Sequence, residues 1–148
     1  MRLMIQRVSE ASVTVDNAIT GAIRNGLLVF VGVGKGDSEQ DADYLLDKLT
    51  GLRIFADENG KMNRNIQEAG GSLLVISQFT LYADCRKGRR PSFDGAASGE
   101  KALALYNYFL EAARRGPVPV EAGVFQASMQ VRLTNEGPVT IWLDSAER

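Results

Sequence analysis

Two stretches of this chain leave no room for a polar face. Gly26 to Val33 reads GLLVFVGV, and Leu73 to Ile76, within GGSLLVISQFTLYAD, is apolar at every position. A half-exposed strand alternates, whereas an unbroken apolar run marks a strand covered on both sides. Both runs therefore belong at the centre of a sheet. With 148 residues, 45% of them hydrophobic, the chain can bury such a sheet within a single domain, residues 1–148.

Around these runs the remaining elements fall into place. MIQRV and ASVTVDN read as two early strands, and RIFADENGK as a short strand entering an Asn-Gly turn. From Ser38, SEQDADYLLDKLTGL sets Ala42, Leu45, Leu46, Leu49 and Leu52 at helical spacing, with Ser38 and Asp41 as a capping box and an acidic outer face. A second helix starts near Ser98 and carries Ala102, Leu105, Phe109 and Ala112, with Leu103, Tyr106 and Leu110 widening its apolar arc, until Gly116 and Pro117 stop it. Near the end, MQVRL and VTIWL alternate on either side of TNEGPVT, the pattern of a hairpin. Its link is unusual, because Pro138 follows Gly137, fixes its own φ and removes a ladder donor. Strands and helices do not alternate regularly, which favours an α+β fold with a largely antiparallel sheet.

Composition narrows the chemistry. The chain contains no histidine, so neither a Ser-His-Asp nor a Cys-His arrangement is possible, and a zinc site built on histidine is excluded. A single cysteine, Cys85, cannot form an internal disulfide, which agrees with a reducing, cytoplasmic setting. The longest apolar run falls short of the roughly 18 residues of a membrane span, so no membrane partner is expected. Formal net charge is −1, so any polyanion must be met locally. GVGKGD, from Gly32, lacks the spacing of a phosphate-binding loop, and the acidic residues around Asp41 lack the glycine and distal glutamate of a calcium loop. No metal and no cofactor are expected.

Two places remain where chemistry could be done. Polarity enters the second apolar run at its end, at Ser77, Gln78, Phe79 and Thr80; continued extended geometry would send Gln78 and Thr80 to one side. Solvent exposure of a strand end explains the same residues. Arg86, Lys87, Arg89 and Arg90 occupy four of five consecutive positions, either as a phosphate-binding loop or as a solvated surface loop. Cys85 beside them is read as an exposed thiol, since nothing orients it as a nucleophile.

With these blocks assembled, the chain resembles the D-aminoacyl-tRNA deacylase family over nearly its whole length. The resemblance runs from QRVSEASVTVD through DYLLDKL, LRIF, KMN, SQFTLYAD, RKGRRPSF and MQV to NEGPVT. Its two most specific blocks are Ser77 to Thr80 and the pair Gly137 and Pro138, which in the family is joined by a cis peptide. Cys85 stands where threonine is usual.

The resemblance implies a strongly curved or barrel-like sheet with two main helices packed on it, and a homodimer in which the Gly-Pro turn of one subunit enters the other's pocket. The carbonyls of Gly137 and Pro138 would hold the substrate's α-ammonium, leaving room for a side chain on the D side only; glycine would fit as well. Met129 would line the pocket, and Arg7 would brace the Gly-Pro turn from outside. The implied partner is aminoacyl-tRNA, its 3′ end in the pocket and its acceptor stem on the basic loop. Backbone N–H groups of Phe79 and Thr80 are candidate oxyanion donors, with Gln78 shaping the pocket and the vicinal hydroxyl of the terminal ribose assisting. Thr80 as a covalent nucleophile is the alternative. A non-catalytic RNA-binding module and a purely structural dimerisation domain are the other readings, and neither needs both specific blocks.

Overall fold

The computed structural model describes residues 1–148. In chain order its elements are β1 (Arg2–Val15), β2 (Ala18–Ile23), β3 (Gly26–Gly32), α1 (Glu39–Gly51), β4 (Phe55–Ala56), β5 (Met62–Arg64), β6 (Ser72–Ser77), α2 (Gly99–Arg115), β7 (Val120–Ala122) and β8 (Gln130–Asp144). β4 and β5 form a small separate hairpin; the other strands make one six-stranded sheet.

The apolar runs are its central strands: β3 lies between β1 and β6, and β6 between β3 and β7. Alternate residues of each feed two different cores. Leu27, Val29, Val31, Leu73 and Val75 join a large cluster shared with both helices. Leu28, Leu74 and Ile76 join a smaller one on the other face, with Val8, Ala11 and Val13. β2 curls round against β6 and β7, so the sheet is nearly closed and barrel-like.

The sheet is largely antiparallel, as expected, but not purely so. β1 pairs antiparallel with β2, β3 and β8, but β3 with β6 and β6 with β7 pair parallel. The cause is connectivity. α1 lies in the crossover from β3 to β6 and α2 in that from β6 to β7, and a crossover through a helix returns the chain in the same direction.

Both helices pack on the large core. α1 begins after Ser38, whose N–H is capped by the Asp41 carboxylate at 2.8 Å, and buries Ala42, Leu45 and Leu49. α2 begins after Ser98 and buries Leu105, Tyr106, Phe109, Leu110 and Ala113. Leu103, expected in its apolar arc, lies outside it and is 40% exposed. Phe109 is wholly buried, so truncating it to alanine costs about 3–5 kcal/mol and would undock the helix. No helix is long and apolar enough to cross a membrane.

The terminal strands depart most from the sequence reading. MIQRV and ASVTVDN are one 14-residue strand, β1. MQVRL and VTIWL are not the arms of a hairpin; they are collinear halves of the 15-residue β8, and both pair with β1. Gln6 faces Thr140 while Val8 faces Asn135, so the residues between Asn135 and Thr140 are thrown out of register as an excursion opposite Arg7. Burial in β1 slips where the register does: Leu3 and Ile5 belong to the large core, Val8 and Ala11 to the small one. The excursion lets one strand serve two cores. The other edge of β8 pairs with no strand.

Candidate active site

β6 ends at Ser77, and the chain passes through Gln78 (φ −147°, ψ 85°) into a single 3₁₀ turn, Phe79–Tyr82. The extended geometry expected to continue through Thr80 therefore stops. Gln78 and Thr80 still meet, because Gln78 Nε2 donates to Thr80 Oγ1 at 2.5 Å. The Gln78 N–H is anchored on the Val31 carbonyl at 2.7 Å. The first N–H groups of any helical turn have no partner inside it, which leaves those of Phe79 and Thr80 free of the turn's own ladder.

Beside this strand end opens a cavity of about 510 Å³. Ser77, Gln78 and Phe79 form one wall, and Met129 and Val131 another. Ala96, Ala97, Gly99 and Ala102, leading into α2, form a third of small side chains. None of its 16 lining residues is charged. Its one titratable side chain, Tyr106, donates to the Val75 carbonyl at 3.0 Å and has its pKa pushed up to about 12 by burial. Phe79 packs edge-on against Phe93 at 5.0 Å. Thr80 does not line the cavity, and its side chain is exposed.

Gly137 and Pro138 lie elsewhere. Their peptide bond is cis, both are exposed, and no residue from Thr134 to Thr140 lines the cavity of the same chain. Arg7 lies against the excursion: its Nη1 donates to the Ile54 carbonyl at 2.5 Å, and its Nε stands 3.6 Å from the Glu136 carboxylate. That Nε is buried without a hydrogen-bond partner. Asn135 closes the base of the excursion, its amide donating to the carbonyls of Arg7 at 3.0 Å and Val139 at 2.9 Å. Gly137 has φ +114°, which L side chains rarely adopt.

The basic loop leaves the 3₁₀ turn through a bridge between Asp84 and Ser92, just before Phe93. Its four cations are not equivalent. Arg86 pairs with Asp84, Nη2 to Oδ2 at 2.6 Å, and this hydrogen bonding holds the Asp84 carboxyl at about 2. Lys87, Arg89 and Arg90 are exposed and form no salt bridge. Cys85 is free and exposed.

The structure thus gathers Ser77, Gln78, Phe79 and Met129 at one cavity, and Arg7, Gly137 and Pro138 at a second place. Sequence reasoning missed Phe125, Gln126 and the alanines of the cavity wall. Alanine gives no chemical signal, and Gln126 sits at φ 61°, which its residue type does not announce. Asn135 was legible only as part of the NEGPVT block.

Known proteins resemble the chain along nearly its whole length. The family model described as D-Tyr-tRNA(Tyr) deacylase matches residues 4–144. A D-aminoacyl-tRNA deacylase of Solibacter usitatus is 62% identical over 148 residues, 100% of this chain and 98% of that protein. One of Thermotoga petrophila is 56% identical over 147 residues, 99% of each chain. Among solved structures, a c-Myc DNA unwinding element binding protein superposes with TM-score 0.92 at 38% identity, over 97% of this chain and 98% of that one. A probable eukaryotic D-amino acid tRNA deacylase shares the fold, with TM-score 0.81 at 18% identity, over 96% of this chain and 97% of that one. By the reach of the family model and by identity along its full length, the chain belongs to the D-aminoacyl-tRNA deacylase family.

Proposed function

We propose that this protein hydrolyses the ester bond of D-aminoacyl-tRNA, releasing free D-amino acid and tRNA. It acts as a homodimer in which the Gly137–Pro138 turn of each subunit completes the other's cavity. One observation carries the reading: the cavity has no charged lining residue, while the Gly-Pro turn stands exposed outside it, on a strand with a free edge. An α-ammonium taken from water needs acceptors, since an unpaired buried charge is costly. Backbone carbonyls from a second copy supply them without a carboxylate.

The chemistry follows from placement. With the ammonium on the carbonyls of Gly137 and Pro138 and the ester carbonyl on the N–H groups of Phe79 and Thr80, two substituents of the α-carbon are fixed. Of the two remaining positions, the one facing protein accepts only hydrogen, and the D side chain takes the other, toward open space; glycyl-tRNA therefore fits too. Water adds to the ester carbon, with the vicinal ribose hydroxyl assisting, and the N–H groups stabilise the oxyanion. The carbon–oxygen bond to ribose then breaks, and the ribose oxygen leaves with a proton. Lys87, Arg89 and Arg90 hold acceptor-stem phosphates. Thr80 is not needed as nucleophile: its hydroxyl is engaged by Gln78, and the chain has no histidine to serve as its base.

The test is deacylation of matched D- and L-tyrosyl-tRNA by purified protein, with release of the D amino acid only; equal release of both overturns the reading. Sharing of the site is tested by mixing two inactive variants, Gly137→Ala and Phe79→Pro. In a mixed dimer one site receives an intact cavity and an intact turn, so activity returns. A site built within one chain recovers nothing.

A further inference from the structure

The 3₁₀ turn Phe79–Tyr82 is held from behind by residues that do not touch the cavity. Tyr82 lies at its end, and its hydroxyl donates to Asp37 Oδ2 at 3.1 Å. The same carboxylate oxygen accepts the Gly34 N–H at 2.5 Å, and Oδ1 accepts the buried Met1 ammonium at 2.6 Å. Above the ring, the Arg2 guanidinium carbon stands 4.3 Å from the centroid, while Arg2 Nη1 donates to the Leu81 carbonyl at 2.9 Å. At the hydroxyl end of the ring, a Cβ on Gly34 would come within 2.6 Å of the Tyr82 hydroxyl, so the backbone of residue 34 can approach the ring only as glycine. Contacts from Arg2, Gly34 and Asp37 thus fix one turn, and Arg2, Asp37 and Tyr82 are all absent from the cavity lining.

We infer that Asp37 and Tyr82 are positioning residues for deacylation, holding the Phe79–Tyr82 turn so that its first N–H groups stay aimed at the developing oxyanion. The inference rests on the proposed reading of those N–H groups. Hydrogen-bond donation to an oxyanion depends steeply on distance and angle, and a donor that must be re-aimed during the reaction contributes less than one already in place. A tyrosine hydroxyl suits the task because it stays protonated: burial and the adjacent Asp37 charge raise its pKa further. The carboxylate in turn is held by the Gly34 N–H and the Met1 ammonium, so it cannot swing away when the turn is loaded.

The experiment uses Tyr82→Phe, which removes one oxygen, and Asp37→Asn, which keeps the size but not the charge. Steady-state deacylation of D-tyrosyl-tRNA is expected to show kcat lowered about 5- to 20-fold in both variants, with KM and tRNA affinity within two-fold of the parent. A purely structural role would lower the melting temperature and leave kcat of the folded protein within two-fold, and that result overturns the inference. A rise in KM at constant kcat overturns it as well. Phe79→Pro against Phe79→Leu separates this from the reading beneath it, since proline deletes the Phe79 N–H and leucine keeps it. If Phe79→Pro matches Phe79→Leu in kcat, the oxyanion reading fails and the inference with it. If Phe79→Pro is inactive while Tyr82→Phe is unaffected, the inference alone fails.

Discussion

Arg7 and Gly137 approach so closely that no side chain fits between them: a Cβ on Gly137 would stand 3.0 Å from Arg7 Nη2. The same Cβ would stand 3.0 Å from Val139 Cγ2, so it cannot relax to the other side. Arg7 itself is pinned by the Ile54 carbonyl.

Gly137→Ala is therefore expected to abolish D-specific deacylation while the protein stays folded. The backbone at φ +114° adds a cost of about 1–3 kcal/mol. Arg7→Lys should behave similarly, because an ammonium cannot hold one nitrogen on the Ile54 carbonyl and another against Gly137 as the guanidinium fork does. Deacylation rates and melting temperatures of both variants check this; full activity in Gly137→Ala would dismiss the contact as incidental.

The inequality of the basic loop is measurable through salt. Replacing Arg89 and Arg90 by alanine should weaken tRNA binding and flatten its log–log salt dependence by roughly 0.9 for each lost phosphate contact. Removing Asp84 and Arg86 together leaves net charge unchanged and deletes a pair that already satisfies itself, so the slope should hold. A drop in slope for the second variant and none for the first would reverse the assignment.

Thr80→Ala should keep most of the deacylation rate, since the substitution preserves the backbone N–H and removes only a hydroxyl already taken by Gln78. A loss of a thousand-fold or more, in protein that binds tRNA normally, would make the threonine a nucleophile after all.

Alkaline pH should weaken the fold. Tyr106 has a folded pKa raised to about 12 by burial, and Tyr82 is raised for the same first reason. A raised pKa means that the folded state keeps its proton longer, so this contribution is complete below the unfolded value of about 10 and is lost as pH climbs toward the folded one. Denaturant midpoints should hold up to pH 9 and fall above pH 10, with a shallower fall in Tyr106→Phe. A flat midpoint up to pH 12 would contradict the buried phenols.

How much of this was legible beforehand depends on what a residue can announce. Leu73 to Ile76 declared a central strand because nothing but double burial explains apolar residues at every position. Ser38 and Gly116 marked helix ends because capping is a local act. The stretch from Met129 to Leu143 misled, because alternation on both sides of Gly137 is the same whether the second half turns back or carries on. Only β1, long enough to pair with both halves, decides between the two. The cavity was half visible: Ser77 to Phe79 showed as polarity at a strand end, whereas its alanine wall is defined by space rather than chemistry. The split between Arg86 and its neighbours escaped because Asp84 lies two residues away and pairs through side-chain geometry.

Arg7 stands near one end of the chain and Gly137 near the other, joined by the pairing of β1 with β8. A ribosome making this protein has emitted the brace long before it makes the turn that the brace supports. Assembly of the site therefore waits for the last strand to dock. A product interrupted between Val131 and Gly137 has every residue that lines the cavity, and the basic loop, but lacks the turn. On the proposed dimer reading, a subunit can lend the turn only once its own synthesis has run past that point, which makes the pairing of β1 with β8 a checkpoint as well as a structural seam.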